Sequence, residues 1–362
     1  MWVLSQLTTE IIPPRHARFI WHDTIRPYTY AKPFYGWHPI AFGRAVLSDT
    51  PFATKFLTEA TQIHNITERE NIVSTNIHFA MGGAIFGDFT TESVQLIAKY
   101  ALPGVEPYRG HLTAWLDKPQ ALKDLLDEYG IRLITASNGG PGQCTEFIDR
   151  SKRAETVADH VAFCRDFLKV FGCTHFKINM GSRPQKGTTA QDIKAIAETV
   201  TEIGKRTLEM GVTIAPHPHI WGPIERPEEV RALLDRTDPH IVSWIPDTAQ
   251  LNLGGGDPVQ LINDYYDRLA AIHWKDSKSS YRGYSGPTPT KEMHAQEILY
   301  KDLGAGGVDH PAIWAMLVER GYNGWITLDL DPPRHNEGEG SVDDKIGINC
   351  RYLTEILKVS HF

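Results

Sequence analysis

From about Ile72 the chain alternates between two hydrophobic rhythms. Short apolar runs such as NIHFAMGG, GVEPY, IRLITASNGG, CTHFKINMG, VTIAPHPHI, HIVSWIPDT, LAAIHWKD and WITLDLD read as eight strands. Longer stretches between them carry apolar residues three and four apart and read as about eight helices. TTESVQLIAKYAL opens on a capping threonine, while KPQALKDLLDEYG and TAQDIKAIAETVTEIGKRTLEMG stop at Gly130 and Gly211. Strict alternation predicts a parallel sheet with helices outside it, and eight units predict closure into a (β/α)8 TIM barrel over residues 71–362. A doubly wound open sheet is the runner-up. No GxGxxG follows the first strand, so no nucleotide cofactor is expected.

Residues 1–70 follow neither rhythm. Six prolines interrupt any long helix, and aromatics such as Phe19, Trp21, Tyr28 and Trp37 are dense. The segment is too apolar for a free tail and is expected to be an extension packed on the barrel or at an interface.

Composition changes this picture little. The 362 residues carry a net charge of −7 and no long basic block, which argues against nucleic acid as a partner. The four cysteines have no paired or zinc-finger spacing. No apolar run reaches the ~18 residues of a membrane span, and no signal peptide is read, so the cytoplasm is the expected location.

The chemistry gathers at strand ends, where barrel active sites lie. His217 and His219 end one apolar run, Asp247 the next, His273 with Lys275 and Asp276 a third, and Asp329 and Asp331 the last. Imidazole nitrogen and carboxylate oxygen suit a divalent cation. Side chains alternate along a strand, so 217 and 219 share a face, as do 273 and 275, and 329 and 331. Parity cannot choose within these pairs. A single cation held by residues from these strand ends is the expected site.

The run from Val212 to Ser277 resembles the xylose isomerase-like sugar isomerase, epimerase and dehydratase superfamily, and most closely its inosose dehydratase branch. The likeness rests on His217-Pro218-His219, on Asp247-Thr248 followed by Gly256-Asp257-Pro258, on His273-Trp274-Lys275-Asp276, and on Gly321-Tyr322-Asn323-Gly324-Trp325 before Asp329. It implies a (β/α)8 barrel, one divalent ion (Mn, Mg, Co or Zn), and sugar, ketosugar or polyol substrates. Carried over by position, it puts Asp247, His273 and Asp329 in metal-ligand places, with His217 completing the expected metal set, and it puts Glu106 on the pocket wall as a candidate catalytic residue. The chain departs from the pattern where Gln250 replaces a pocket histidine, where the shorter Asp329 replaces a glutamate, and where Asn179 stands at a sometimes acidic position with Lys177 on the same face. These departures favour a lyase over a two-base epimerase.

The expected reaction is proton abstraction next to a ketone followed by β-elimination, either dehydration or cleavage of a 3-keto- or carbon-glycoside. His219 is the first candidate base. Lys275 is the second, on the expectation that a neighbouring cation lowers its pKa. Arg183, Asn179, Lys177, Trp221, Gln250 and His78 are the expected substrate contacts. The alternatives are an isomerase or epimerase, an endonuclease-type phosphodiesterase, and a non-catalytic sugar-binding or partner subunit. A homo-oligomer is expected, with a small partner chain as a further option. The long stretch after the seventh strand reads as a functional lid.

Overall fold

The first strand, β1 (His78–Gly82), pairs in parallel with both β2 (Gly104–Glu106) and β9 (Trp325–Leu328). The circuit continues from β2 to β3 (Arg132–Leu133), and by single bridges through Ser137 to β4 (His175–Ile178), which pairs with β5 (Thr213–Pro216). Single bridges Ile214–Val242, Trp244–Leu269 and Asp247–His273 bring in the sixth segment, and β6 (Ala271–Trp274) closes the ring on β9. This is the expected (β/α)8 barrel, seen in a computed structural model that describes residues 76–139, 145–334 and 340–362. The expected extension (residues 1–70) and its boundary with the barrel lie outside the described residues.

The sixth segment was expected as a continuous strand. Instead it touches its neighbours at isolated points, because Pro246 has no N–H to give the ladder. A helix that the pattern did not predict, Thr248–Leu253, starts directly after Asp247. A second unforeseen helix, Lys291–Gln296, lies within the stretch read as a lid. That stretch also holds an antiparallel pair, β7 (Asp276–Ser277) with β8 (Tyr300–Lys301).

The barrel interior is filled in layers. Ala215, Ile245 and Ala271 form a small apolar cluster with Trp325 against it. Gly104 leaves space for the Trp325 ring, since a Cβ there would overlap it. Neighbouring residues such as Ile214, Trp244, Ile272 and Ile326 face the other way, into the large core between strands and helices. Two residues beyond Ala215, Ile245, Ala271 and Thr327 stand His217, Asp247, His273 and Asp329. One alternation therefore runs through four strands and lays a buried polar layer on an apolar floor.

Candidate functional site

His217, Asp247, His273 and Asp329 are all buried, and each offers one ligand atom within 4.8 Å of the others. His217 Nδ1 bonds the carbonyl of Ile245 at 3.0 Å, which makes Nδ1 the protonated nitrogen and Nε2 the lone pair. Asp247 caps the helix that follows it, with Oδ1 accepting from the N–H groups of Ala249 and Gln250 at 2.8 and 3.0 Å. His217 Nε2 and Asp247 Oδ2 are buried with no hydrogen-bond partner. Two orphaned donor atoms facing one point leave unmet about 1–3 kcal/mol of desolvation each, and a cation would satisfy both. The residues therefore fit a divalent ion.

Glu106 lies beneath this layer. Its Oε1 accepts from His273 Nε2 and Lys177 Nζ, each at 2.8 Å, and its Oε2 accepts from Thr327 Oγ1 at 3.1 Å. With Nε2 protonated, His273 Nδ1 faces Asp329 Oδ2 at 3.2 Å, on the side of the cluster. A carboxylate behind a ligating imidazole fixes its tautomer and orientation. Burial would raise the Glu106 carboxyl, but the charges of His273 and Lys177 outweigh it and hold it at about 2. Burial works to lower His273, and Glu106 with Asp329 reverses that. Burial and the charge of Asp329 push Asp247 up to about 7.

The wall beside the cluster encloses a cavity of about 290 Å³ lined by Tyr108, Asn179, His217, His219, Trp221 and Lys291 among others. His219 Nδ1 donates to the carbonyl of Ile220 at 2.6 Å, and its Nε2 accepts from the Gln250 amide at 2.9 Å. Burial holds it neutral, at about 4. Gln250 also bonds the Tyr300 hydroxyl at 3.0 Å and the backbone of Ile220 at 3.1 Å, so it fixes the turn that carries His219. Asn179 donates to Ser137 Oγ at 2.8 Å, and its own N–H is accepted by Asn138. Trp221 adopts φ +66°, a conformation uncommon outside glycine. Its N–H is taken by Glu225 and its ring N–H by the carbonyl of Pro289.

Three sequence expectations change here. Lys275 was expected to have a lowered pKa. Burial acts in that direction, yet Asp329 at 3.6 Å and Asp331 at 2.9 Å outweigh it and raise Lys275 well above the usual range. Arg183 was expected to hold substrate, but its guanidinium is bound by Glu225 at 3.0 Å and Glu229 at 2.8 Å, and it buttresses the Trp221 turn. His78 begins β1 and packs on Trp325, which begins β9, so it stands at the end of the barrel opposite the ligand layer.

Asp276, read from the sequence as a strand-end group, serves the loop instead, and Tyr300 and Tyr108 are not singled out by the sequence. Asp276 accepts N–H groups from Ser277, Gly304, Gly306 and Val308, and so moors the end of the long stretch after β6. Tyr300 holds Gln250 and lies under the Lys275 ammonium, 4.4 Å from the ring centroid. Tyr108 lies two residues past Glu106 and so shares its inward face. The same parity that aligned His217 with His219 would have found Tyr108.

Comparison with known proteins agrees with this architecture. The model of the xylose isomerase-like TIM barrel family matches residues 94–347. An inosose dehydratase of Lacticaseibacillus casei is 26% identical over 250 residues, covering 63% of this chain and 79% of that protein. The solved IOLI protein with a binding zinc atom superposes with a TM-score of 0.63 at 14% identity, covering 78% of this chain and 98% of that one. A D-tagatose 3-epimerase-like protein superposes with a TM-score of 0.61 at 16% identity, over 78% and 97% of the two chains.

Proposed function

Because the chain belongs to the xylose isomerase-like TIM barrel family, we propose that it is a divalent-metal-dependent lyase acting on a ketosugar, keto-glycoside or keto-polyol. The observation that carries this reading is the ring of four buried donors, two of them with unpartnered atoms, beside a small polar cavity. The similarity to inosose dehydratase supports a keto-polyol or ketosugar substrate and a dehydration. The cavity is at the small end of ligand sites, which span about 300–1,000 Å³, and suits a single sugar-sized ring.

His217, Asp247, His273 and Asp329 would hold the ion, and two imidazoles with two carboxylates suit Zn²⁺, Mn²⁺ or Co²⁺ better than Mg²⁺. Bound there, the ion would polarise the ketone and stabilise the charge that develops on its oxygen. His219 is neutral near pH 7, and its Nε2 lone pair, held at rest by the Gln250 amide, would serve as the base for the proton on the adjacent carbon once that bond is released. Lys275 is engaged by Asp331 at 2.9 Å and Asp329 at 3.6 Å, which favours its ammonium form over a base. Asn179 and Trp221 shape the wall against which the ring rests.

The test is incubation of the manganese-loaded enzyme in ²H₂O with 2-keto-myo-inositol, methyl 3-keto-β-glucoside and free ketohexoses, followed by NMR. Loss of water or methanol with deuterium uptake supports the lyase. Deuterium uptake without elimination supports the isomerase or epimerase alternative. No reaction with any of the three, and no bound metal, supports the non-catalytic alternative.

A further inference from the structure

The base reading calls for a group that protonates the departing oxygen. At rest the Nδ1 proton of His219 is committed to Ile220, and its Nε2 accepts from Gln250. Both Glu106 oxygens are engaged below the cavity floor. Lys275 is anchored to Asp331 and Asp329 and lines a separate small recess with Tyr300.

Tyr108 differs from all of these. It lines the same cavity as His217 and His219, and among the described residues its hydroxyl has no hydrogen-bond partner. Its backbone is clamped on both sides: Arg109 N–H donates to Ser137 at 2.8 Å, and Ser137 N–H donates to Pro107 at 2.9 Å. The Lys177 ammonium lies 5.0 Å from the ring centroid and is held there by Glu106. That cation is placed to stabilise negative charge spread over the ring. Tyr108 follows β2 and His219 follows β5, three strands apart in a ring of eight, so the two groups reach a bound molecule from different sides.

Resting on the lyase reading above, we propose that Tyr108 is the general acid that protonates the leaving oxygen. In this step His219 Nε2, released from the Gln250 amide, takes the proton from the carbon beside the ketone, and that C–H electron pair becomes the new C=C bond. The C–O bond on the next carbon breaks, and its pair stays on oxygen. The Tyr108 hydroxyl gives that oxygen its proton, so water or an alcohol departs. Solvent then reprotonates the phenolate and receives the proton from His219, and nothing is oxidised or reduced. Lys177 lowers the Tyr108 hydroxyl, but burial and Asp329 keep it raised overall, which suits a donor that is protonated at neutral pH.

The experiment compares wild type with Tyr108→Phe, which keeps the ring and removes a hydroxyl that bonds nothing else. Deuterium uptake and elimination are measured with 2-keto-myo-inositol and methyl 3-keto-β-glucoside, and elimination with 4-nitrophenyl 3-keto-β-glucoside. The nitrophenolate leaves without needing a proton. Loss of the acid should slow release of water or methanol on the order of 100-fold. Deuterium uptake and nitrophenolate release should stay within a few-fold of wild type. Equal losses in exchange and elimination, or equal losses with both leaving groups, would assign Tyr108 a structural role and overturn the proposal. Undiminished methanol and water release would overturn it too. If wild type itself neither exchanges nor eliminates, the lyase reading falls first and takes the proposal with it.

Discussion

Glu106 Oε1 lies 2.8 Å from His273 Nε2, and this contact turns Nδ1 of the same ring toward Asp329. A residue on the second strand thereby sets which nitrogen of a seventh-strand histidine is available to a cation. The same oxygen holds Lys177 at 2.8 Å, so one carboxylate aims the imidazole and balances a buried ammonium.

Replacing Glu106 with Gln should weaken metal binding about 10- to 100-fold, the usual effect of losing a partner behind a ligand. It should also cost roughly 3–5 kcal/mol of stability, because Lys177 keeps its charge in a buried place without a counterion. Metal titration and denaturant unfolding measure the two effects. Unchanged affinity would show that His273 is oriented by Asp329 alone.

Asp247→Asn separates the two jobs of that side chain. The amide oxygen still accepts from Ala249 and Gln250, so the helix start survives, whereas a charged ligand is lost. Bound metal per chain, read by elemental analysis, should fall more than tenfold. The unfolding midpoint of the metal-free protein should hold or rise, because burial and Asp329 disfavour the ionised carboxylate there. Asp247→Ala should in addition lose about 1 kcal/mol of helix capping.

Acid should destabilise the barrel in a defined window. Burial holds His175 at about 4 and His310 at about 3, whereas an unfolded histidine titrates near 6.5. The unfolded state therefore binds more protons between these values, so stability rises with pH and is lost as pH falls from about 6.5 toward 4. Asp247, held at about 7, works in the opposite sense over the same range, so the variant is the test: His310→Gln should raise the melting midpoint at pH 5 relative to that at pH 7. A pH dependence in His310→Gln identical to that of wild type would contradict the assignment.

Gly306→Ala should destabilise by about 1–3 kcal/mol, the usual cost of overpacking. A Cβ there would overlap the carbonyl of Ser277 and the Asp276 carboxylate, which gathers the loop from Gly304 to Val308. Gly130→Ala offers a contrast, since a Cβ there meets no neighbour but the backbone sits at φ +66°. Chemical denaturation of both variants separates crowding from backbone strain.

The barrel and the convergence of four strand-end side chains were legible because both follow from period-two alternation, a local property of strands. His217, Asp247, His273 and Asp329 sit in phase with Ala215, Ile245, Ala271 and Thr327, and that phase is written in the sequence. Contacts made by long side chains across the barrel were not legible. Nothing in the order of residues says that Arg183 meets Glu225 and Glu229 or that Lys275 meets Asp331. The sixth strand was over-read because its apolar pattern is strong, while Pro246 removes the hydrogen bond that pattern cannot register. His78 was misplaced because strand parity fixes a face but not an end.

One carboxyl group, that of Asp247, ends a barrel segment, begins a helix through one oxygen and turns the other toward the ligand ring. Were an ion bound there, its distance from the helix would be set by a rigid planar unit only three atoms across. Rocking of Thr248–Leu253 could not be absorbed by a flexible tether and would be passed directly to such a cation. Gln250 and Asn252 ride on that same short rod, so alignment of the reacting centre and docking of its covering segment would stay synchronised without any separate linkage.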